Sequence, residues 1–259
     1  MTRLDLRLRR RSMVGYTIGM VAYAFVIVAL YPTFKNDQNL NRFTQGGGAK
    51  FAALFGASGP LTTPPGWLNA NLYGNFVPLV VLLLTIGYGA HAIGGQDEDG
   101  TLGVVATLPV SRRSLVLQKF ATMCALAVPV SVATLLCVLA GRSFELSVGI
   151  GQLVAITIGT LLLGIDFGAL ALLIGALTGS RGTALGVTSS AAAAAYLISS
   201  LAPVVPWIRP VRGVSPFYYA VGQGQLVQGL RTPSLIVLIA VALALLAAAV
   251  VAFERLDIH

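Results

Sequence analysis

Residues 233–253 read PSLIVLIAVALALLAAAVVAF, without a single charged side chain. A helix needs about 20 such residues, rising 1.5 Å each, to cross roughly 30 Å of hydrocarbon. Five more apolar runs precede this one, at about 13–34, 72–95, 115–140, 148–178 and 183–205. Of the 259 residues, 56% are hydrophobic and only 10% charged. Soluble domains carry about a quarter charged residues, so no single water-soluble core is encoded here. The runs lack the two-residue alternation of a membrane barrel, and an open sheet cannot leave its edges in lipid. The expected fold is an all-α membrane protein, a single domain over 1–259 with six transmembrane helices.

Positive charge orients such a bundle. Arg3, Arg7, Arg9, Arg10 and Arg11 abut the first run. With that end in the cytoplasm, six crossings return the C-terminus there, and ten basic residues fall inside against seven outside. The net charge of +8 therefore reads as topology and attraction to anionic headgroups, and no nucleic-acid partner is expected. Ala22-Tyr23-Ala24 resembles a signal-peptidase site, but apolar residues continue to Leu30, so an uncleaved anchor is expected. Residues 1–12 alternate leucine with arginine and are expected to form an interfacial helix. Residues 35–71, with Gly46-Gly47-Gly48 and Pro60, Pro64 and Pro65, read as an extracellular loop with one short helix. Residues 203–232 hold four prolines among aromatics and read as a re-entrant or interfacial segment before the sixth span.

Few residues carry chemistry. No Gly-Lys-Ser/Thr phosphate loop, no His-Glu-x-x-His and no paired-cysteine zinc spacing occurs. Cys124 and Cys137 stand about 20 Å apart along one helix and read as packing residues. Gly56-Ala57-Ser58-Gly59 matches an intramembrane serine-protease pattern but has no histidine base in a later span. Asp166 is the only acid inside a span, so an aspartyl-protease dyad is ruled out. Burying that charge costs roughly 2.5–3.5 kcal/mol on insertion scales. Asp166 therefore reads as a pathway residue or an intramembrane polar contact. No metal site is expected.

The polar insert between the second and third runs is the strongest functional signal. Asp97, Glu98 and Asp99 end one helix, and Gly100 permits a turn. Thr101 can cap a short helix over Leu102–Leu108, which Pro109 stops. Ser111 can cap the next helix, with Arg112, Arg113 and Lys119 at its base. Residues 97–114 thus read as a cytoplasmic coupling helix lying across the membrane face.

The order Asp97-Glu98-Asp99-Gly100-Thr101-Leu102, Pro109-Val110-Ser111-Arg112, Lys119 resembles the permease subunits of bacterial ABC exporters with six spans and a separate ATPase. Ser215-Pro216-Phe217-Tyr218-Tyr219 and Phe253-Glu254-Arg255-Leu256-Asp257 are similar to that family's later motifs, with Leu256 as an insertion. The resemblance implies a non-catalytic permease in the bacterial cell membrane, with both termini cytoplasmic. Two cytoplasmic ATPase subunits would bind ATP and Mg, since this chain holds no cofactor. They would dock on Asp97, Glu98, Asp99, Gly100, Thr101, Leu102, Pro109, Ser111, Arg112 and Arg113. A second permease, the same or a different chain, would complete the path, and membrane lipid surrounds both. Export of an amphipathic small molecule, drug or lipid-like substrate is expected. A non-transporting anchor or sensor for an ATPase is the alternative reading, and an intramembrane enzyme the third.

Overall fold

A computed structural model describes residues 2–37, 60–101 and 111–255. Among the described residues every regular element is helical. Six helices are long and apolar enough to cross a membrane: Arg9–Phe34, Pro64–Glu98, Arg112–Phe144, Ile150–Thr178, Arg181–Leu201 and Thr232–Glu254. They are the first to sixth spans. Consecutive spans run in opposite directions. Residues 9, 98, 112, 181 and 254 gather at what is called the N-terminal end, and residues 34, 64 and 144 lie at the far end. At the far end Lys35 pairs with Glu145, joining the first span to the third.

Three expectations about boundaries change. The basic N-terminal segment is continuous with the first span, one helix running unbroken from Thr2 to Phe34. Residues 2–14 contain neither glycine nor proline, so nothing in the sequence interrupts it. The second span begins at Pro64 rather than at residue 72. Thr63 caps it by accepting from the Gly66 amide at 3.3 Å, and proline is well suited to a first helical turn. Trp67, Leu68, Leu72 and Tyr73, part of which was assigned to the outer loop, are buried instead. The Trp67 indole donates to the Ile27 carbonyl at 2.9 Å, and the Tyr31 hydroxyl to the Thr62 carbonyl at 3.0 Å. Residues 38–59 of that loop, including Gly46-Gly47-Gly48 and Gly56 to Gly59, lie outside the described residues. The fifth span ends at Leu201, before Pro203, rather than at residue 205.

The fourth span is the hub, packed against the second, third, fifth and sixth. Such packing in lipid relies on close van der Waals approach, because hydrocarbon is as apolar as leucine. Gly89 and Gly168 bring the second and fourth spans together backbone to backbone: a Cβ at Gly89 would lie 2.4 Å from the Gly168 carbonyl oxygen. Gly164 is equally confined, against Val81 at 2.3 Å. Hydroxyls on these faces satisfy themselves on their own helix. Thr85, Ser131, Thr157 and Thr160 each donate to the carbonyl four residues back.

Residues 203–232 fold into short elements, a 3₁₀ helix at Pro206–Val214 and helices at Pro216–Ala220 and Gln225–Gln228. The Pro216–Ala220 turn tucks between the fourth, fifth and sixth spans. Phe217 meets Phe167 and Tyr196 with ring centroids 5.9 and 5.5 Å away. Arg212 donates to the Gly222 carbonyl at 2.7 Å and lies 4.5 Å over the Tyr218 ring. Burial lowers the pKa of its guanidinium from the ordinary value, though the group stays charged.

Gly89→Ala should lower the thermal unfolding midpoint of the detergent-solubilised protein, reflecting about 1–3 kcal/mol of overpacking. Gly186→Ala, where no atom lies within 4 Å of the added carbon, should leave it unchanged or slightly raised. Equal midpoints for the two variants would refute the close-approach account.

Candidate functional site

Four of the six spans meet at the N-terminal end, around the polar insert. The second span widens into a π-helical turn at His91–Gly95 and finishes through Gln96–Glu98. Gly100 has a φ of +66°, a left-handed cap that costs glycine little. Its amide donates to the Asp97 carbonyl at 3.0 Å. The Thr101 hydroxyl donates back to the Gln96 carbonyl at 3.2 Å. The expected helix Leu102–Leu108, with Leu102 and Pro109, lies outside the described residues. The chain is described again from Ser111, whose hydroxyl accepts from the Ser114 amide at 3.2 Å and caps the third span.

The acids and arginines flanking this insert do not stand alone. Glu98 Oε1 accepts from the Ser180 hydroxyl and from the Arg181 amide, both at 2.9 Å. The fifth span has no acid in its first turn, so Glu98 supplies the negative charge that a helix N-terminus favours. Ser180 completes the cap by accepting from the Thr183 amide at 3.4 Å. At the other side of the insert, Arg112 Nη1 donates to the carbonyls of Phe253 and Glu254 at 3.2 and 3.3 Å. Its guanidinium also lies 5.9 Å over the Phe253 ring. Arg113 pairs with the Glu254 carboxylate. The sixth span has no basic residue in its own last turn, and Arg112 and Arg113 take that place.

Each edge of the insert is therefore bound to a span other than its own. Glu98 joins the second span to the fifth, and Arg112 and Arg113 join the third to the sixth. The sequence reading placed Glu98, Arg112 and Arg113 at a surface but missed these partners. A signal existed: the first turn of the fifth span has no acid, and the last turn of the sixth has no base before Arg255. Asp97 and Asp99 lie beside the same turn, Asp99 exposed and Asp97 partly so.

Asp166 stands apart from this cluster. It is 2% exposed, within the hub span, and neither side-chain oxygen has a hydrogen-bond partner among the described residues. Cys124 and Cys137 are free thiols. Among the described residues, no group of three or more His, Cys, Asp or Glu side chains could hold a metal ion.

Glu98→Ala should leave the fold intact but loosen the first turn of the fifth span by about 1 kcal/mol, as removal of a helix cap does. Hydrogen exchange at the Arg181 and Thr183 amides should then quicken, while amides in the middle of that span stay protected.

No curated protein is similar enough to the chain to match. A family model described as ABC-2 family transporter protein matches residues 2–258. Six apolar helices and this match across nearly the whole length describe one kind of molecule: the chain belongs to the ABC-2 family of transporter proteins, as a multi-pass membrane component.

Proposed function

We propose that this chain is the permease half of an ATP-driven exporter, working with a separate cytoplasmic ATPase that docks on residues 97–113. Membership in a transporter family supports an ATPase partner in general. The observation that carries the docking site is the cross-bracing at the insert. A push on this segment moves the second and third spans directly, and through Glu98 and Arg112 it reaches the fifth and sixth spans as well. A nucleotide-driven partner needs such a handle, because it can shift the permease only by binding two of its conformations unequally. Asp97 and Asp99 lie beside the Gly100 turn, where that contact is proposed.

The N-terminal end is placed in the cytoplasm of a bacterial cell, on the arginines abutting the first span. A second permease, identical or different, completes the path. The chain itself performs no catalysis; ATP and Mg belong to the partner. The cargo is amphipathic or lipid-like, because the spans offer apolar and small side chains and only one buried acid.

Topology is tested first. A single cysteine placed at Thr101 or Ser111, in a chain whose Cys124 and Cys137 are replaced by alanine, should resist impermeant thiol reagents in intact cells and react once they are opened. Labelling from outside would overturn the assignment.

Coupling is tested in vesicles holding the permease and its co-purified ATPase. Gly100→Val forces a β-branched residue to a positive φ, at a cost of about 1–2 kcal/mol. Arg112→Ala removes the hydrogen bonds to the sixth span's last carbonyls. Each should reduce ATP-dependent uptake into inverted vesicles at least about tenfold, a barrier change near 1.4 kcal/mol, while the complex still assembles. Unchanged uptake would remove these residues from coupling. Assembly with ATP hydrolysis but no transport in the unaltered protein would favour an anchor.

A further inference from the structure

The first span carries an open apolar groove that its own bundle does not fill. Thr17, Ile18, Val21, Ala22 and Phe25 line it from the first span and Cys137 from the third, around a volume of about 410 Å³. Ile18 and Phe25 are 64% and 54% exposed and form its walls. The groove spans residues 17–25, about 12 Å along the helix axis.

Charge lies directly below it. Residues 11, 18 and 25 are spaced by seven, so Arg11 shares the helix face of Ile18 and Phe25. Arg10 falls on the same side, in line with Thr17 and Val21. Both arginines are exposed, and neither forms an ion pair among the described residues. No acid occurs in the sequence between Asp5 and Asp37 to neutralise them. Arg9, by contrast, turns inward, its guanidinium 5.1 Å from the centre of the Tyr88 ring. One arginine thus braces the bundle, and its two neighbours face away from it.

We propose that this face is a binding site for an anionic phospholipid of the leaflet on the N-terminal side. Arg10 and Arg11 hold the headgroup phosphate, and one acyl chain lies in the groove between Ile18 and Phe25. The axial distance from Arg11 to Ile18, about 10 Å, separates headgroup from chain as a phospholipid does. Arginine suits this role because its planar fork matches phosphate geometry. A protein helix is the poorer occupant. It would have to desolvate two unpaired guanidinium groups to reach the groove, whereas a lipid brings the compensating charge with it. The site depends on neither the ATPase nor the transported substrate.

The test uses the full chain in nanodiscs containing a phosphatidylglycerol probe with a photoreactive group in its acyl chain. Adducts should concentrate on the peptides holding residues 17–25 and Cys137. A phosphatidylcholine probe should label them roughly thirtyfold less, the effect of about one kcal/mol for each of the two arginines at the surface. The double change Arg10→Gln and Arg11→Gln should erase that difference. Ala22→Trp, which fills the groove and keeps both charges and the insertion signal, should lower labelling by either probe. Equal labelling by the two probes, or adducts indifferent to Ala22→Trp, would overturn the proposal. So would cross-links joining the first spans of two copies through the groove, which would assign it to a second permease.

Discussion

Everything in this bundle hangs on how closely the second and fourth spans can approach. Gly89 faces the Gly168 carbonyl with no room for a methyl group, and Gly164 faces Val81 in the same way. Lipid offers helices no hydrophobic reason to associate, so dispersion across a narrow gap must supply it. That contact fixes the fourth span as the hub. The third, fifth and sixth spans then pack on the same helix, and the Pro216–Ala220 turn fills the far-end gap between hub, fifth and sixth.

Helix termini set the second constraint. Each span leaves four amides or four carbonyls unpaired at each end, and those must find partners or water. The second span meets the fifth and the third meets the sixth at the N-terminal end, so the partners come from neighbours. Glu98 closes the fifth span and Arg112 the sixth. These bonds hold the helix ends and, in the proposed coupling role, also transmit motion. A cap borrowed from another helix must move with that helix, or break. The polar insert is thereby coupled to four spans through hydrogen bonds rather than through bulk packing alone.

The sequence made the six spans readable because each apolar run is long and nearly uncharged, a signal that survives any packing arrangement. Ser111 as a cap and Gly100 as a turn were equally readable, since both depend on a few adjacent residues. The start of the second span was not. Pro64-Pro65-Gly66 looks like a helix breaker, yet proline in a first turn begins a helix when Thr63 caps it. The partners of Glu98 and Arg112 lie 83 and 141 residues away in sequence, beyond any local pattern. Asp166 was readable as buried, but the lack of a partner for its carboxyl depends on how the surrounding spans turn their faces.

The arginines next to the first span illustrate how one compositional signal divides by geometry. Counted together, they are the signal on which the proposed orientation rests, because positive charge near a span resists translocation. Separated by helical phase, they differ. Arg9 turns toward the bundle and lies against the face of Tyr88. Arg10 and Arg11 point away, below a groove that the chain leaves empty. A hundred degrees of rotation per residue is enough to turn a topogenic charge into a structural one or a ligand-facing one. The same rule governs the insert, where Arg112 reaches the sixth span's backbone carbonyls and Arg113, one position on, reaches its carboxylate. Charge in this protein is scarce enough that its placement around each helix, rather than its total, decides what it does.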